Sequence, residues 1–303
     1  MSLSLILCLT CLVSMNSGIL FRQEKWNDLK VTWGPNPLGS KDFVSMPRTE
    51  QEAVTVGFTK FANCSDNPQL RGNRYMKKGD TAVILLYDVH GYIAGIQAGV
   101  PKDTPNFPPD TLKPPFLDDG NTWVMTAYFV DPSTICTTGR SAQAYETQGT
   151  GTNLYIQNGT NPETDTMLIP HEQSNIGTTD WTKGHCFITM GVHYWYDLTL
   201  DMSCDRMFPV FLMYNEGTLT GFGWAFQTGL NSTRYEHPTS SVLGTIVVVP
   251  LCDGLKVGAM DMVGGQIPSY SFRTDRLLMC ANGLASYLSV PGSYRCRWLI
   301  CTA

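Results

Sequence analysis

VILLYDVHGYIAGI, residues 83–96, is an apolar run that breaks on Asp88-Val-His-Gly91 and resumes as a second β-rich run. Asx and Gly at such a break supply the unusual dihedrals of a tight turn, so the stretch reads as a β-hairpin. The same pattern returns downstream: VFLMYNEGTLTGF, residues 210–222, aligns with one gap and breaks on Asn215-Glu-Gly217. Working outward from this pair, LKVTWGPNP (29–37) matches LYIQNGTNP (154–162), and DFVSMPRTEQ (42–51) matches DTMLIPHEQ (165–173). VTVGFTKF (54–61) further matches ITMGVHYW (188–195), and TAYFVDPSTIC (126–136) matches TIVVVPLC (245–252). Five matches in one order, at offsets of roughly 115 to 140 residues, read as a tandem duplication.

FPVFLMY, TAYFV and TIVVV are apolar at odd and even positions alike, the signature of strands covered on both faces. The expected fold is therefore mainly β. Two tandem, similar antiparallel β units form a sandwich or barrel-like pair with few helices, stabilised by disulfides. The chain divides into a signal peptide at 1–18, a first β repeat at 19–146, and a second β repeat with a C-terminal extension at 147–303. One helix is expected near the C-terminus, where Leu277, Ala281, Leu284 and Leu288 follow helical spacing. Residues 101–119 hold six prolines and read as a long surface loop. Residues 137–152, TTGRSAQAYETQGTGT, read as the polar connection between the copies.

Composition agrees with that architecture. Charged residues are 16% of the 303, below the roughly 25% usual for globular proteins, while aromatics are 11% and the chain carries 28 glycines and 18 prolines. This suits an ordered, loop-rich β protein and excludes a coiled coil or a disordered chain. A net charge of −5 without a basic cluster leaves no electrostatic footprint for nucleic acid or for an anionic membrane.

LSLILCLTCLV (3–13) is uncharged and apolar, too short for the about 20 residues of a membrane span, and reads as a secretory leader. The mature protein is thus expected to be secreted and extracellular. Cys8 and Cys11 leave with the leader. Cys64, Cys136, Cys186, Cys204, Cys252, Cys280, Cys296 and Cys301 remain, an even number that reads as a disulfide set. The repeat aligns Cys64 and Cys136 with Cys204 and Cys252. Each copy is therefore expected to close its own bridge, Cys64–Cys136 and Cys204–Cys252, with the other four as additions to the second copy. Sequons at Asn63, Asn158 and Asn231 are expected glycosylation sites.

The strong catalytic motifs are missing. The sequence contains no HExxH, no phosphate-binding GxxxxGK[ST], no GxSxG elbow and no dinucleotide fingerprint, and no CxxC follows the leader. Neither a metal nor a cofactor is expected, and the even cysteine count disfavours a catalytic thiol.

HCFITMGVHYWYD (185–197) concentrates the chemistry that remains. On a strand, Cys186, Ile188, Met190, Val192, Tyr194 and Tyr196 share a mostly apolar face; His185, Phe187, Thr189, Gly191, His193, Trp195 and Asp197 share the other. His185 and His193 would stand roughly 26 Å apart, too far to ligate one metal. His193 and Asp197 are the candidate catalytic pair, with His171 on a loop as a further candidate, because imidazole titrates near neutrality. Trp195, Tyr194 and Tyr196 are the candidate ligand contacts. The competing reading makes this face the polar side of a half-buried strand. In the alignment above the first copy has Thr59 where the second has His193, so the repeat does not require the histidine. His237 precedes Pro238 on a loop, and His90 sits in the hairpin turn, a structural position.

TMGVHYWYDLTLDMSC (189–204), FPVFLMYN (208–215) and LTGFGWAF (219–226) resemble secreted, functionally unassigned proteins of marine invertebrates. The resemblance covers about 150 residues, mainly the second copy, and is a likeness of whole stretches without a catalytic signature. The group that these stretches resemble is taken to include the luciferases of syllid worms, which lack the motifs of other luciferase families. The resemblance implies a cofactor-independent oxidation of a small aromatic substrate and carries over no residue. Two functions therefore stand: an extracellular module binding a small apolar or aromatic ligand or a protein partner, and a secreted cofactor-independent oxidative enzyme, an oxygenase of luciferase type.

Overall fold

The computed structural model describes residues 26–32, 44–187, 191–199, 202–235 and 261–266. The leader, TIVVVPLC, His237, Cys252, Cys280, Cys296, Cys301 and the expected C-terminal helix lie outside the described residues.

Among the described residues the strands are β1 (Lys30–Thr32), β2 (Val44–Ser45), β3 (Thr59–Ala62), β4 (Asn73–Lys77), β5 (Asp80–Tyr87), β6 (Ile93–Pro101), β7 (Leu117–Asp119) and β8 (Thr122–Tyr128). They continue with β9 (Leu154–Gln157), β10 (Thr166–Ile169), β11 (Trp181–Phe187), β12 (Gly191–Tyr196), β13 (Val210–Asn215), β14 (Thr218–Phe226) and β15 (Asp261–Gln266). Four short helices interrupt them: α1 (Glu50–Thr55), α2 (Pro132–Ile135), α3 (Ala142–Gln148) and α4 (Gln173–Ile176). The strands build two antiparallel sheets, ordered β11-β12-β13-β14-β15-β1-β2 and β10-β9-β8-β6-β5-β4-β3, with β7 added on β8.

The doubly apolar strands explain why the sheets stack. In β5, Val83, Leu85 and Tyr87 point into a core that also holds Leu212 and Tyr214 of β13, Phe222 and Trp224 of β14, and Leu29 and Val31 beside and within β1. Ile84 and Leu86 point the other way, into a second cluster with Leu70, Tyr128 and Ile135. Each sheet thus has one face in a shared sandwich core, and the sheet containing β3–β8 has its other face packed against the segments that carry Leu70 and Ile135.

The hairpins quoted at the outset are equivalent in detail. β5 and β6 shift register between Leu86 and Tyr87; β13 and β14 shift between Met213 and Tyr214. The Tyr87 hydroxyl donates to Pro47 O at 2.9 Å, and the Tyr214 hydroxyl to Pro170 O at 2.6 Å. Thr49 bridges Tyr92 as Glu172 bridges Thr218. Glu216 and Gly217 both have positive φ, 49° and 87°, the left-handed pair that a two-residue turn between right-twisted strands requires.

The two units are tandem in sequence, yet they exchange strands. β1 and β2 of the first repeat extend the sheet built from β11–β15, and β9 and β10 of the second repeat extend the sheet built from β3–β8. The exchanged pairs match in register: Val31 faces Val44 as Ile156 faces Met167. The connection between copies, read above as a polar loop, contains α3, capped where Ser141 Oγ accepts from Ala144 N at 3.1 Å.

Three sequence expectations change. Residues 54–57 are not strand. Thr49 and Glu52 form a reciprocal capping box that starts α1 and carries the helix to Thr55. The repeat alignment shifts accordingly. Lys60 faces Tyr75 as Lys183 faces Tyr194, so FTKFANC (58–64) corresponds to WTKGHC (181–186), and β12 corresponds to β4. Finally, residues 101–119 are no simple surface loop. Pro101 ends β6 and Leu117–Asp119 form β7, and between them Phe107 and Phe116 are buried with ring centroids 5.3 Å apart, while Phe116 reaches Phe226 at 5.3 Å.

Cys64 and Cys136 are joined, their Cα atoms 5.4 Å apart. Cys186 and Cys204 are also disulfide-bonded. In the structural register Cys186, not Cys204, occupies the place of Cys64. The strand paired as β8 is paired, between β14 and β1, is β15, which lies beyond Cys252 in the chain. The repeat argument for a Cys204–Cys252 bridge therefore falls away.

Candidate functional site

The strand β12 separates the residues that the sequence placed in one pocket. Val192 and Tyr194 face the sandwich core, and the Tyr194 hydroxyl accepts from Gln173 Nε2 at 2.9 Å while its ring meets Tyr214 edge-on at 5.3 Å. His193 and Trp195 face the opposite side and flank Phe211, with ring centroids 5.3 and 5.2 Å from it. Asp197 lies past the strand end, exposed, at a φ of 46°. His193 and Asp197 are therefore not brought together as an acid–base pair.

His193 is fully buried. Its Nδ1 lies 3.1 Å from Gly191 O and its Nε2 has no hydrogen-bond partner among the described residues. Burial without a compensating charge pushes its pKa down to about 4, against the opposing effect of the Gly191 carbonyl. At neutral pH this is an uncharged ring packed among aromatics. Its counterpart in the other sheet, by register, is Arg74: Arg74 faces Leu86 as His193 faces Met213. Arg74 is also buried but forms an ion pair with Asp119 at 2.5 Å. One position on the outer face thus carries a neutral ring in one sheet and a paired charge in the other.

The other described histidines, His90, His171 and His185, are placed in structural contacts or in solvent. His171 stacks on Trp26 at 5.0 Å and 14°, half-buried. His90 is exposed in the hairpin turn with Nδ1 2.8 Å from Arg140 O. The turn itself is organised by buried Asp88, whose carboxylate accepts from His90 N, Tyr92 N and Arg140 N. His185 is exposed on the edge strand β11. Among the described residues no group of three or more His, Cys, Asp or Glu is positioned to hold a metal ion. None of the helices among these residues is long and apolar enough to cross a membrane.

Tyr196 and Asp197 do share a concave site. They line an open groove of about 340 Å³ together with Thr111, Leu112, Pro114, Pro115, Asn158, Arg206 and Phe208. This volume falls in the roughly 300–1,000 Å³ range of ligand clefts. One wall comes from the proline-rich segment of the first repeat, the other from the second repeat. The walls are tied together where the Thr111 hydroxyl donates to Asp205 O, at the 3-10 turn Cys204–Arg206. The aromatic wall is backed by a cluster in which Tyr196 lies 5.1 Å from Phe208 and 5.3 Å from Trp181. Burial, then the carboxylates of Asp180 and Asp197, push the Tyr196 phenol above its usual pKa, so it stays a neutral donor. Arg206 and Asp197, both exposed, add one charge of each sign at the rim.

Of the expected ligand contacts only Tyr196 lines the groove, and of the expected catalytic residues only Asp197 does. Sequence reasoning missed Arg206, Phe208, Asn158 and the proline wall. The proline segment and the Asn158 sequon were both visible, but nothing in the sequence placed them in one groove with Tyr196.

Compared with protein-family models, curated proteins and solved structures, the chain matches none.

Proposed function

We propose that this chain is an extracellular binding protein that holds a small apolar or aromatic ligand in the groove between the proline-rich segment and the end of β12. The observation that carries this reading is the groove itself. Leu112, Pro114, Pro115, Tyr196 and Phe208 offer an apolar and aromatic bed, and Thr111, Asn158, Asp197 and Arg206 offer a few polar groups that fix orientation. That division between apolar lining and sparse polar groups is the usual make-up of small-molecule sites. Export is supported by the apolar leader, by disulfide-bonded Cys64, Cys136, Cys186 and Cys204, and by the exposure of Asn63, Asn158 and Asn231 at their sequons.

The oxidative reading rested on His193 beside Asp197, and buried, neutral His193 faces Phe211 and lies outside the groove. Binding is therefore the reading carried forward. It is tested by titrating the purified, unglycosylated chain with p-cresol and with 4-hydroxybenzoate. Saturable binding of either is expected, with the carboxylate weakened about tenfold in Arg206→Ala through loss of a charge-assisted contact. Failure of both probes to bind, in protein that is folded, contradicts the proposal.

A further inference from the structure

Asn158 is both a wall of the groove and a glycan acceptor: Asn158-Gly-Thr160 is a complete sequon, and the asparagine side chain is exposed. Its backbone is held in place. Asn158 N donates to Asp165 O at 2.8 Å, Asp165 N donates to Asn161 O at 2.8 Å, and Gly159 O accepts from Gln157 Nε2 at 2.9 Å. Gly159 packs so closely on Asp165 that a Cβ would lie 2.6 Å from the Asp165 side chain. A sugar on Asn158 therefore starts from a fixed point at the rim. The groove beside it presents what a pyranose uses: the aromatic side chains of Tyr196 and Phe208 for its C–H face, and Arg206, Asp197 and Thr111 for its hydroxyl and acetamide groups.

We propose that the first N-acetylglucosamine of an Asn158-linked glycan folds back into this groove, so that the glycosylated chain carries its own occupant and the unglycosylated chain is open to an outside ligand. This rests on the exported, ligand-binding reading above. The modification itself transfers an oligosaccharide from a lipid pyrophosphate donor. The Asn158 amide nitrogen forms the bond to sugar C1, an N–H proton is lost, and the lipid pyrophosphate leaves. Asn231 is exposed, does not line the groove and serves as an internal control.

The full chain is expressed in a secretory eukaryotic host, its glycopeptides are mapped by mass spectrometry, and native release of glycans by a peptide N-glycanase is timed at each sequon. Release from Asn158 is expected to be about tenfold slower than from Asn231, to become equal after denaturation, and to become equal in native Tyr196→Ala. Arg206→Ala, on an exposed turn, gives the same readout should the tyrosine variant fail to fold. Equal native rates at Asn158 and Asn231, or a bare Asn158 beside an occupied Asn231, overturn the glycan seat alone. Three bare sequons on a chain that passed through the host's secretory pathway also overturn the exported glycoprotein reading. In addition, Thr160→Ala removes the sequon without altering a groove residue. It is expected to raise 4-hydroxybenzoate binding about tenfold over the glycosylated chain, and an unchanged affinity contradicts the proposal.

Discussion

His193 shows at the scale of one residue how a sequence signal and a structural role diverge. A histidine beside aromatics and an aspartate fits the pattern of a general base, and the pattern is sound only if side chains alternate into a common pocket. Here alternation places His193 against Phe211, while the chain turns at Asp197 and takes the carboxylate elsewhere. The burial makes a sharp prediction. With a folded pKa near 4 against an ordinary value of 6.5, the unfolded chain binds a proton that the folded chain refuses. Stability is therefore full above about pH 6.5 and falls as pH drops toward 4, by on the order of 3 kcal/mol from this group. His193→Phe keeps the ring stack and removes the titration. Denaturant unfolding between pH 7 and pH 4 should show the variant losing less stability by about that amount; parallel curves would show that the ring is hydrated when folded.

At the scale of elements, the hairpins were legible and their neighbours were not. Val83–Ile96 and Val210–Phe222 were readable because apolar runs, an Asx and a glycine coincide, and turn chemistry is local. The stretch VTVG failed because its helix is set by Thr49 and Glu52, a Thr-x-x-Glu capping signal lying just upstream that outweighs the β-branched residues it precedes. Misreading that helix shifted the whole alignment of β3 and β4, and with it the assignment of Cys186. The outer face of β13–β14 carries a test of its own. Phe211 lies across Gly223, where a Cβ would overlap the ring. Gly223→Ala should cost about 1–3 kcal/mol by overpacking, measurable as a lowered denaturation midpoint. A neutral effect would mean that Phe211 has another rotamer available.

At the scale of the whole molecule, the duplication could be read and the strand exchange could not. Similarity in sequence marks which segments are alike, whereas which sheet each joins depends on contacts far apart in the chain. The exchange ties each repeat to the other, so neither sheet is complete without a hairpin from its partner repeat. The Cys64–Cys136 bridge closes a loop of 72 residues within the first repeat. Its removal by Cys64→Ala with Cys136→Ala should cost about 4 kcal/mol on the loop-entropy account. Non-reducing peptide mapping should recover Cys64 with Cys136, and Cys186 with a cysteine downstream of Gln266, because β15 takes the place that β8 holds before Cys136. Recovery of Cys186 joined to Cys252 would contradict that register.

The groove also belongs to the whole molecule, since its walls come from different repeats. The most direct test is a methyl NMR titration of the Thr160→Ala chain with p-cresol and 4-hydroxybenzoate, reading Leu112 in the groove against Leu212 in the sandwich core. A groove that binds gives a saturable shift at Leu112 with Leu212 unmoved, and the shift is lost or strongly weakened in Tyr196→Ala. No shift at Leu112 with either probe, or a shift that survives Tyr196→Ala unchanged, would contradict it.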